Sequence, residues 1–277
     1  MLPRFLLGAL ALAALPCLAM ADACAQDSIK FPDWKGQWER IGDGRWDVSK
    51  PRLAQGAPLT PEYEAKLKAS IAEQAAGGPG NDLMYKCIPP GMPRMMLGYN
   101  PLEFIVAPKL TYIVLEHMGQ VRRIFTDGRN WPATLEPSFV GTSIGTWVDA
   151  DGDGRYDALA IETRGLKGPR AFDSSGLPLH DDNQTVVREL IHLDNTNPSL
   201  LRDEITTIDH ALTRPWTVTR SFNRAQRPVW VEHVCGADNH HVEINNENYF
   251  LSVDGRLMPT KKDQPAPDLK YFDRPAK

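Results

Sequence analysis

Apolar and polar side chains alternate along most of the chain between Leu102 and Cys235. Nine segments in this span have the length of a β-strand and are rich in β-branched and aromatic residues. They are LEFIVAP, LTYIVLEH, QVRRIFTD, SIGTWVDA, YDALAIET, TVVRELIHL, LRDEITTID, WTVTRSFN and PVWVEHVC. Strands in this number must close or stack to hide their edges. We therefore predict an all-β fold, an antiparallel β-barrel of about 8–10 strands, with a β-sandwich as the alternative.

The amino-terminal residues have the order of a secretory signal. One basic residue, Arg4, precedes an apolar run over residues 5–18, and small residues follow it. This order predicts a signal peptide over 1–25 and a periplasmic or secreted protein. Attachment to lipid through Cys17 or Cys24 is the alternative, but neither cysteine follows the pattern that such processing prefers.

The remaining chain divides by its patterns into three parts. An extension over 26–101 contains one helix at 60–76, which begins with a capping Thr and a Pro and has a narrow apolar face. We expect this helix to pack on the outside of the barrel. The barrel domain is predicted over 102–258, with a first strand over 36–41, and a tail follows over 259–277.

Charge and motifs exclude several classes of function. The formal net charge is −4 with both signs interspersed, so no basic stripe is present to bind nucleic acid. After the signal, no apolar run approaches the roughly 20 residues that a spanning helix needs. The sequence has no phosphate loop, dinucleotide fingerprint or zinc-protease motif. We therefore expect no cofactor, no nucleic acid and no membrane span.

Cys87 and Cys235 are the cysteines certain to remain after the signal is removed. In an oxidising compartment, two isolated cysteines favour a disulfide. Two buried free thiols are the alternative.

The acidic segment DADGDGRYD carries its carboxylates at the spacing of an EF-hand loop. The candidate ligands are Asp149, Asp151, Asp153 and Asp157. Position 12 of such a loop should be a bidentate Glu and here is Ala160, and the flanking segments have the pattern of strands. We interpret the segment as a hairpin tip, and a calcium ion that makes the hairpin rigid is the alternative.

Two sets of motifs resemble known families. Lys35-Gly36-Gln37-Trp38 resembles the Gly-x-Trp of lipocalins and related barrels, in which an Arg from a late strand packs across the Trp. This resemblance implies a lipocalin-like barrel and Arg220 or Arg224 as that partner. A longer set of motifs resembles a family of exported proteobacterial proteins without established function. These motifs are PLTPEYEAKL, AGGPGNDLMYKCIPPGMPRMM, FIVAP, QVRRIFTDGRNWPA, GTSIGTW, HALTRPWTVTR and VEHVC.

Adjacent arginines Arg122 and Arg123 fall on a predicted strand, where neighbouring side chains point to opposite faces. One of them should therefore face the barrel interior and require an anionic partner. That partner is either an internal carboxylate, from Glu116, Glu162 or Glu189, or the carboxylate of a ligand.

Histidines supply the candidate proton-transfer groups, because their ordinary pKa lies near neutrality. The candidate catalytic residues are Arg123, His180, Glu232 and His233. The residues expected to line a ligand site are Tyr112, Phe125, Arg129, Trp131, Trp147 and Trp216.

Three hypotheses for function follow. The first is an exported barrel that binds a small apolar or amphiphilic molecule in an interior cavity. The second is a cofactor-independent lyase, isomerase or hydrolase that acts in the same cavity. The third is a structural protein of the envelope without a ligand.

Overall fold

The computed structural model describes residues 30–51, 55–235, 240–252 and 254–267. The predicted signal peptide and residues 268–277 of the tail lie outside this part of the chain. The described residues form one α-helix, α1 (Pro61–Ala75), and twelve strands. The strands are β1 (Gln37–Arg40), β2 (Leu102–Ala107), β3 (Leu110–Leu115), β4 (Gln120–Phe125), β5 (Thr142–Val148), β6 (Ala158–Arg164), β7 (Val186–Asp194), β8 (Asn197–Ile208), β9 (Trp216–Arg224), β10 (His241–Ile244), β11 (Glu247–Leu251) and β12 (Leu257–Pro259). Short 3₁₀ turns span Leu83–Lys86, Arg94–Leu97 and His117–Gly119.

Strands β1 to β9 form a closed barrel, because β1 pairs with β2 on one side and with β9 on the other. Closure confirms the predicted barrel and excludes the β-sandwich. Eight of the nine strand pairings are antiparallel. The exception corrects the prediction of a fully antiparallel sheet: β4 and β5 are parallel, since residues 126–141 carry the chain back along the barrel between them.

The barrel has different limits from those expected. Its strands come from β1 and from residues 102–224, and not from 102–258. The segment PVWVEHVC, predicted as a strand, forms none, and β10, β11 and β12 make a separate three-stranded sheet. No helix within the described ranges is long and apolar enough to cross a membrane.

The helix expected over 60–76 is confirmed as α1. Thr60 caps it by accepting a hydrogen bond from the Tyr63 N–H (3.4 Å), and Pro61 occupies the first turn. The buried face includes Tyr63 and Leu67. The Thr60 N–H also donates to the Ala211 carbonyl (2.9 Å), which fixes the start of the helix beside the link between β8 and β9.

One end of the barrel is closed by aromatic side chains, and we call it the aromatic end. Trp34 packs 5.2 Å from the ring of Phe104 and 5.2 Å from that of Trp147. Trp38 is fully buried, and its indole N–H donates to the Trp34 carbonyl (3.0 Å). The Arg224 guanidinium lies 4.4 Å from the centre of the Trp38 ring. Of the two arginines considered as the Trp partner, Arg224 is the one found there.

The opposite end is covered by the long links, and we call it the capped end. Strand directions place the link from β1 to β2, the link from β6 to β7 and the link from β8 to β9 at this end. Residues 41–101 supply a buried layer of large side chains, namely Trp46, Met92, Met95, Met96 and Leu97. Phe172, from the second link, packs on Trp216 with ring centres 5.1 Å apart. The capped end therefore carries most of the polypeptide that is not barrel wall.

Cys87 and Cys235 form a disulfide, as predicted, with their Cα atoms 5.6 Å apart. The bond joins the link between β1 and β2 to the end of the segment that follows β9.

Candidate functional site

Strand β4 places its two arginines on opposite faces. Arg122 is completely buried inside the barrel, and Arg123 is exposed on the outer face. The expected inward arginine is therefore Arg122, and the candidate catalytic residue Arg123 lies outside the barrel wall.

Arg122 is held by an internal carboxylate. Its Nη1 donates to Oε1 of Glu189 (2.8 Å), and its Nη2 donates to the second oxygen of the same carboxylate. The remaining guanidinium donors reach Ser143 Oγ (3.0 Å) and Thr163 Oγ1 (2.8 Å). Of the partners considered for an inward arginine, Glu189 is the one present, so Arg122 requires no ligand carboxylate.

A second pair of charged residues lies inside the same barrel. Asp203 and Arg220 stand opposite each other on β8 and β9. Burial raises the pKa of Asp203 well above its usual range, and the nearby charge of Glu189 acts in the same direction. Burial lowers the pKa of Arg220 to about 10. Arg220 Nη1 donates to the carbonyls of Arg45 and Trp46 (2.9 Å each), which ties the cap to the barrel.

The barrel interior is filled by side chains. The inward residues at the middle of the strands have no exposed surface, among them Ile113, Leu159, Val187, Ile191, Asp203 and Ile205. At Gly145 an added Cβ would lie 2.8 Å from a methyl group of Ile124, so even one more carbon has no room there. Buried side chains therefore occupy these inward positions, as they can in a barrel of this strand number.

The six residues expected to line a ligand site do not converge. Tyr112 and Phe125 occupy outward positions on β3 and β4. Arg129 pairs with Asp127 (2.7 Å) and lies over the Phe125 ring (3.8 Å), also outside. Trp131 is covered by the guanidinium of Arg164 at 4.5 Å. Trp147 and Trp216 do face inward, but they pack at opposite ends of the barrel, within the aromatic end and beneath the cap.

The capped end contains a cavity of about 450 Å³ between the link that joins β4 to β5 and the link that joins β6 to β7. Its wall combines apolar and polar side chains, namely Leu135, Pro137, Arg164, Gly165, Asp182, Asn183, Gln184, Thr185 and Val186. Its volume falls in the usual range for small-molecule sites, about 300–1,000 Å³. We call this cavity, together with His180 and His210, which contact its lining residue Asp182, the His–Asp cleft.

Two imidazoles meet at the carboxylate of Asp182 on the wall of the cleft. His210 Nδ1 is hydrogen-bonded to Asp182 Oδ2, and His180 Nδ1 lies 3.3 Å from the same oxygen. The His180 and His210 rings are edge to face, with centres 5.6 Å apart. Although burial opposes it, hydrogen bonds from the Gln184 N–H and His210 lower the pKa of Asp182, so this carboxylate is ionised at neutral pH.

Buried polar residues support His180 from behind. The His180 N–H donates to Asp209 Oδ1 (2.9 Å), and the other oxygen of Asp209 accepts the Thr185 hydroxyl. Arg170 Nη2 donates to Thr185 Oγ1 (2.7 Å), and burial lowers the pKa of Arg170 to about 10. On its other side His180 stacks on the Tyr63 ring of α1, with ring centres 5.3 Å apart. The cleft and its supports therefore come from α1 and from three links, those between β4 and β5, β6 and β7, and β8 and β9.

The sequence pattern identified His180 but not its partners. His210 and Asp182 lie 28 residues apart, and no spacing rule connects them. No pattern in the sequence joins these two residues to His180.

His233 lies at the capped end in a different cluster. Its ring centre is 4.5 Å from that of His117, and its Nδ1 accepts a long hydrogen bond from the Met118 N–H (3.4 Å). Burial, followed by the charge of His233, lowers the pKa of His117 to about 4. Glu232 is exposed. The structure therefore separates the candidates His180 and His233 into two sites.

The carboxylates of Asp149, Asp151 and Asp153 approach within 4.8 Å of one another in the link between β5 and β6. They also accept loop amides: Asp149 accepts from Gly152 (2.7 Å) and Gly154 (2.9 Å). Asp157 accepts from the Ala150 N–H (2.6 Å). The loop is thus a hairpin tip closed by its own side chains, as such turns commonly are.

No protein-family model matches this chain, and no curated protein matches it.

Proposed function

We propose that this chain is an exported β-barrel protein that binds a small amphiphilic molecule in the His–Asp cleft, outside the barrel wall. The observation that carries the proposal is the composition of that cavity. Apolar side chains of Leu135, Pro137 and Val186 lie beside the charged groups of Asp182 and Arg164. A wall with both kinds of surface suits a ligand with an apolar body and one polar group.

The packed barrel interior supports this location. A ligand in the interior would have to displace side chains that have no exposed surface, such as Asp203 and Ile205. The cleft needs no such rearrangement, because its volume is already present at the capped end.

Export is supported by two independent features. The amino-terminal residues have the order of a signal peptide. The Cys87–Cys235 disulfide is typical of proteins that fold in an oxidising compartment. Expression of the full chain in a bacterial host, followed by cell fractionation and amino-terminal sequencing, tests this part. We expect the periplasmic protein to begin after Ala21, Ala23 or Ala25, and an uncut cytoplasmic product would contradict export.

Ligand binding is tested by blocking the cavity. Val186→Trp places a large ring on the cleft wall, and Val121→Trp on the exposed outer face of β4 is the matched control. We expect the amphiphilic dye 8-anilinonaphthalene-1-sulfonate to fluoresce with the wild type and the control, and to lose that signal with Val186→Trp. Native mass spectrometry of the same three proteins checks for a co-purified molecule. Dye binding that is unchanged by Val186→Trp, or absent from the wild type, would contradict the proposal.

A further inference from the structure

We propose that the His–Asp cleft is also catalytic and hydrolyses small esters, with His210 as general base and Asp182 as the group that orients it. This inference rests on the proposed function, because the ester would occupy the same cavity.

A carboxylate orients the His210 imidazole. His210 Nδ1 is hydrogen-bonded to the ionised carboxylate of Asp182. A carboxylate in this position holds the proton on Nδ1 and leaves Nε2 free of a proton, which is the form that accepts one. The His210 side chain is 68% exposed, so water reaches it.

The His210 imidazole lies next to a residue of the cavity wall. Asp182 lines the 450 Å³ cavity, and its carboxylate is hydrogen-bonded to His210. A base hydrogen-bonded to a residue that lines a cavity of ligand size is a candidate to act on a bound molecule. His192 differs in this respect: its Nδ1 contacts the Leu193 carbonyl, and its Nε2 lies 3.8 Å from Glu204, away from the cleft.

Neighbouring residues hold Asp182 and His180 in place. The Asp182 N–H donates to His180 Nδ1 (3.1 Å), so His180 helps to fix the backbone that carries the carboxylate. His180 is in turn held by Asp209 and by the Tyr63 ring. A buried chain of polar residues behind a partly exposed imidazole is the kind of support that keeps a catalytic group in one orientation.

The reaction follows from these groups. The oxygen of a water molecule bonds to the ester carbonyl carbon, and the water proton passes to His210 Nε2. The carbonyl oxygen gains negative charge. Arg164, whose Nε donates to Glu162 (2.7 Å), is the positively charged residue among those lining the cavity and would stabilise that charge. The ester C–O bond then breaks, and His210 returns the proton to the leaving oxygen. Asp182 stays ionised throughout.

The experiment uses the purified mature protein and 4-nitrophenyl acetate as the ester, with free imidazole at equal concentration as the background. We expect His210→Gln to lower kcat by about 10²-fold, the usual size of a general-base contribution, and His192→Gln to leave it unchanged. Asp182→Asn should lower kcat more than it changes KM, and should alter the pH profile of kcat, since Asp182 acts through His210. Thermal unfolding of each variant identifies any that fail to fold. We expect His210→Gln to fold, because the His210 side chain is largely exposed.

Wild-type protein that is no faster than imidazole, or His210→Gln with the wild-type rate, would overturn the inference. Either result would leave ligand binding intact if Val186→Trp still abolishes the dye signal. A wild-type protein that neither binds the dye nor hydrolyses the ester would overturn the proposed function itself.

Discussion

Arg122 on β4 and Glu189 on β7 form an ion pair through two N–H donors inside the barrel, and both side chains are fully buried. Removing one member leaves a buried charge without its partner, which typically costs about 3–5 kcal/mol. We therefore expect Arg122→Met to lower the free energy of unfolding by about that amount, as measured by urea denaturation. Arg123→Met, one residue along and exposed, is the control and should change stability by less than about 0.5 kcal/mol. Equal effects at the two positions would show that the assigned faces of β4 are wrong.

Asp203 makes stability depend on pH above 3.8, the ordinary pKa of an aspartate. Its pKa in the folded protein is raised above the unfolded value, so the folded state holds a proton that the unfolded chain releases. The stability contributed by this proton is fully present below the unfolded pKa and is lost as pH rises through the folded pKa. We expect Asp203→Asn to flatten the decline of the unfolding free energy as pH rises above 3.8, measured by urea denaturation. A decline of equal slope in the variant would assign the effect to other groups.

His117 makes stability depend on pH in the acid range. Its pKa is lowered to about 4 in the folded state, below the ordinary value of 6.5. Folding therefore favours the neutral imidazole. The stability that it contributes is present above the unfolded pKa of 6.5 and is lost as pH falls towards 4. We expect His117→Gln to lose less stability than the wild type when urea denaturation is repeated from about pH 7 to pH 4.5. His192→Gln is the control, and it should retain the wild-type acid dependence.

The disulfide closes a long loop, because Cys235 lies 148 positions after Cys87 in the sequence. Loss of a native bridge of this kind typically costs about 2–5 kcal/mol. We expect the double substitution Cys87→Ser and Cys235→Ser to lower the free energy of unfolding by about that amount. A reducing agent should destabilise the wild type and leave the double variant unchanged. An effect of the reducing agent on both proteins would contradict this assignment.

The acidic loop is predicted to fold without an ion. Its carboxylates already accept amides of the loop, and Ala160, on β6, cannot supply the bidentate carboxylate of an EF-hand loop. We expect neither a chelator nor added Ca²⁺ to shift the melting temperature. A rise on adding Ca²⁺ that disappears in Asp149→Asn would establish the calcium alternative.

The alternating pattern predicted the barrel, the capping residues and helical spacing predicted α1, and two isolated cysteines in an exported chain predicted the disulfide. The alternating pattern could not decide which of Arg122 and Arg123 faces inward, because that depends on the register that the turn at His117–Gly119 sets between β3 and β4. Nor could it reveal that the interior is filled, since Trp46 and Phe172 enter the capped end from links far apart in sequence.

The functional cluster was harder to predict for the same reason. Asp182 and His210 come from different links, and they meet only because the barrel brings the ends of β7, β8 and β9 together. His180 alone carried a recognisable signal, as a histidine in a polar loop. Its supporting residues, Asp209 and Arg170, have ordinary surroundings in the sequence and are identified only by their hydrogen bonds.

The location of the binding site is tested most directly by a crystal structure of the protein soaked with a library of small amphiphilic fragments. We predict fragment density against Asp182, Arg164 and Val186 at the capped end, with the side chains of the barrel interior unmoved. Fragments bound between Arg122 and Asp203 inside the barrel, or only at sites away from the cleft, would contradict the proposed location.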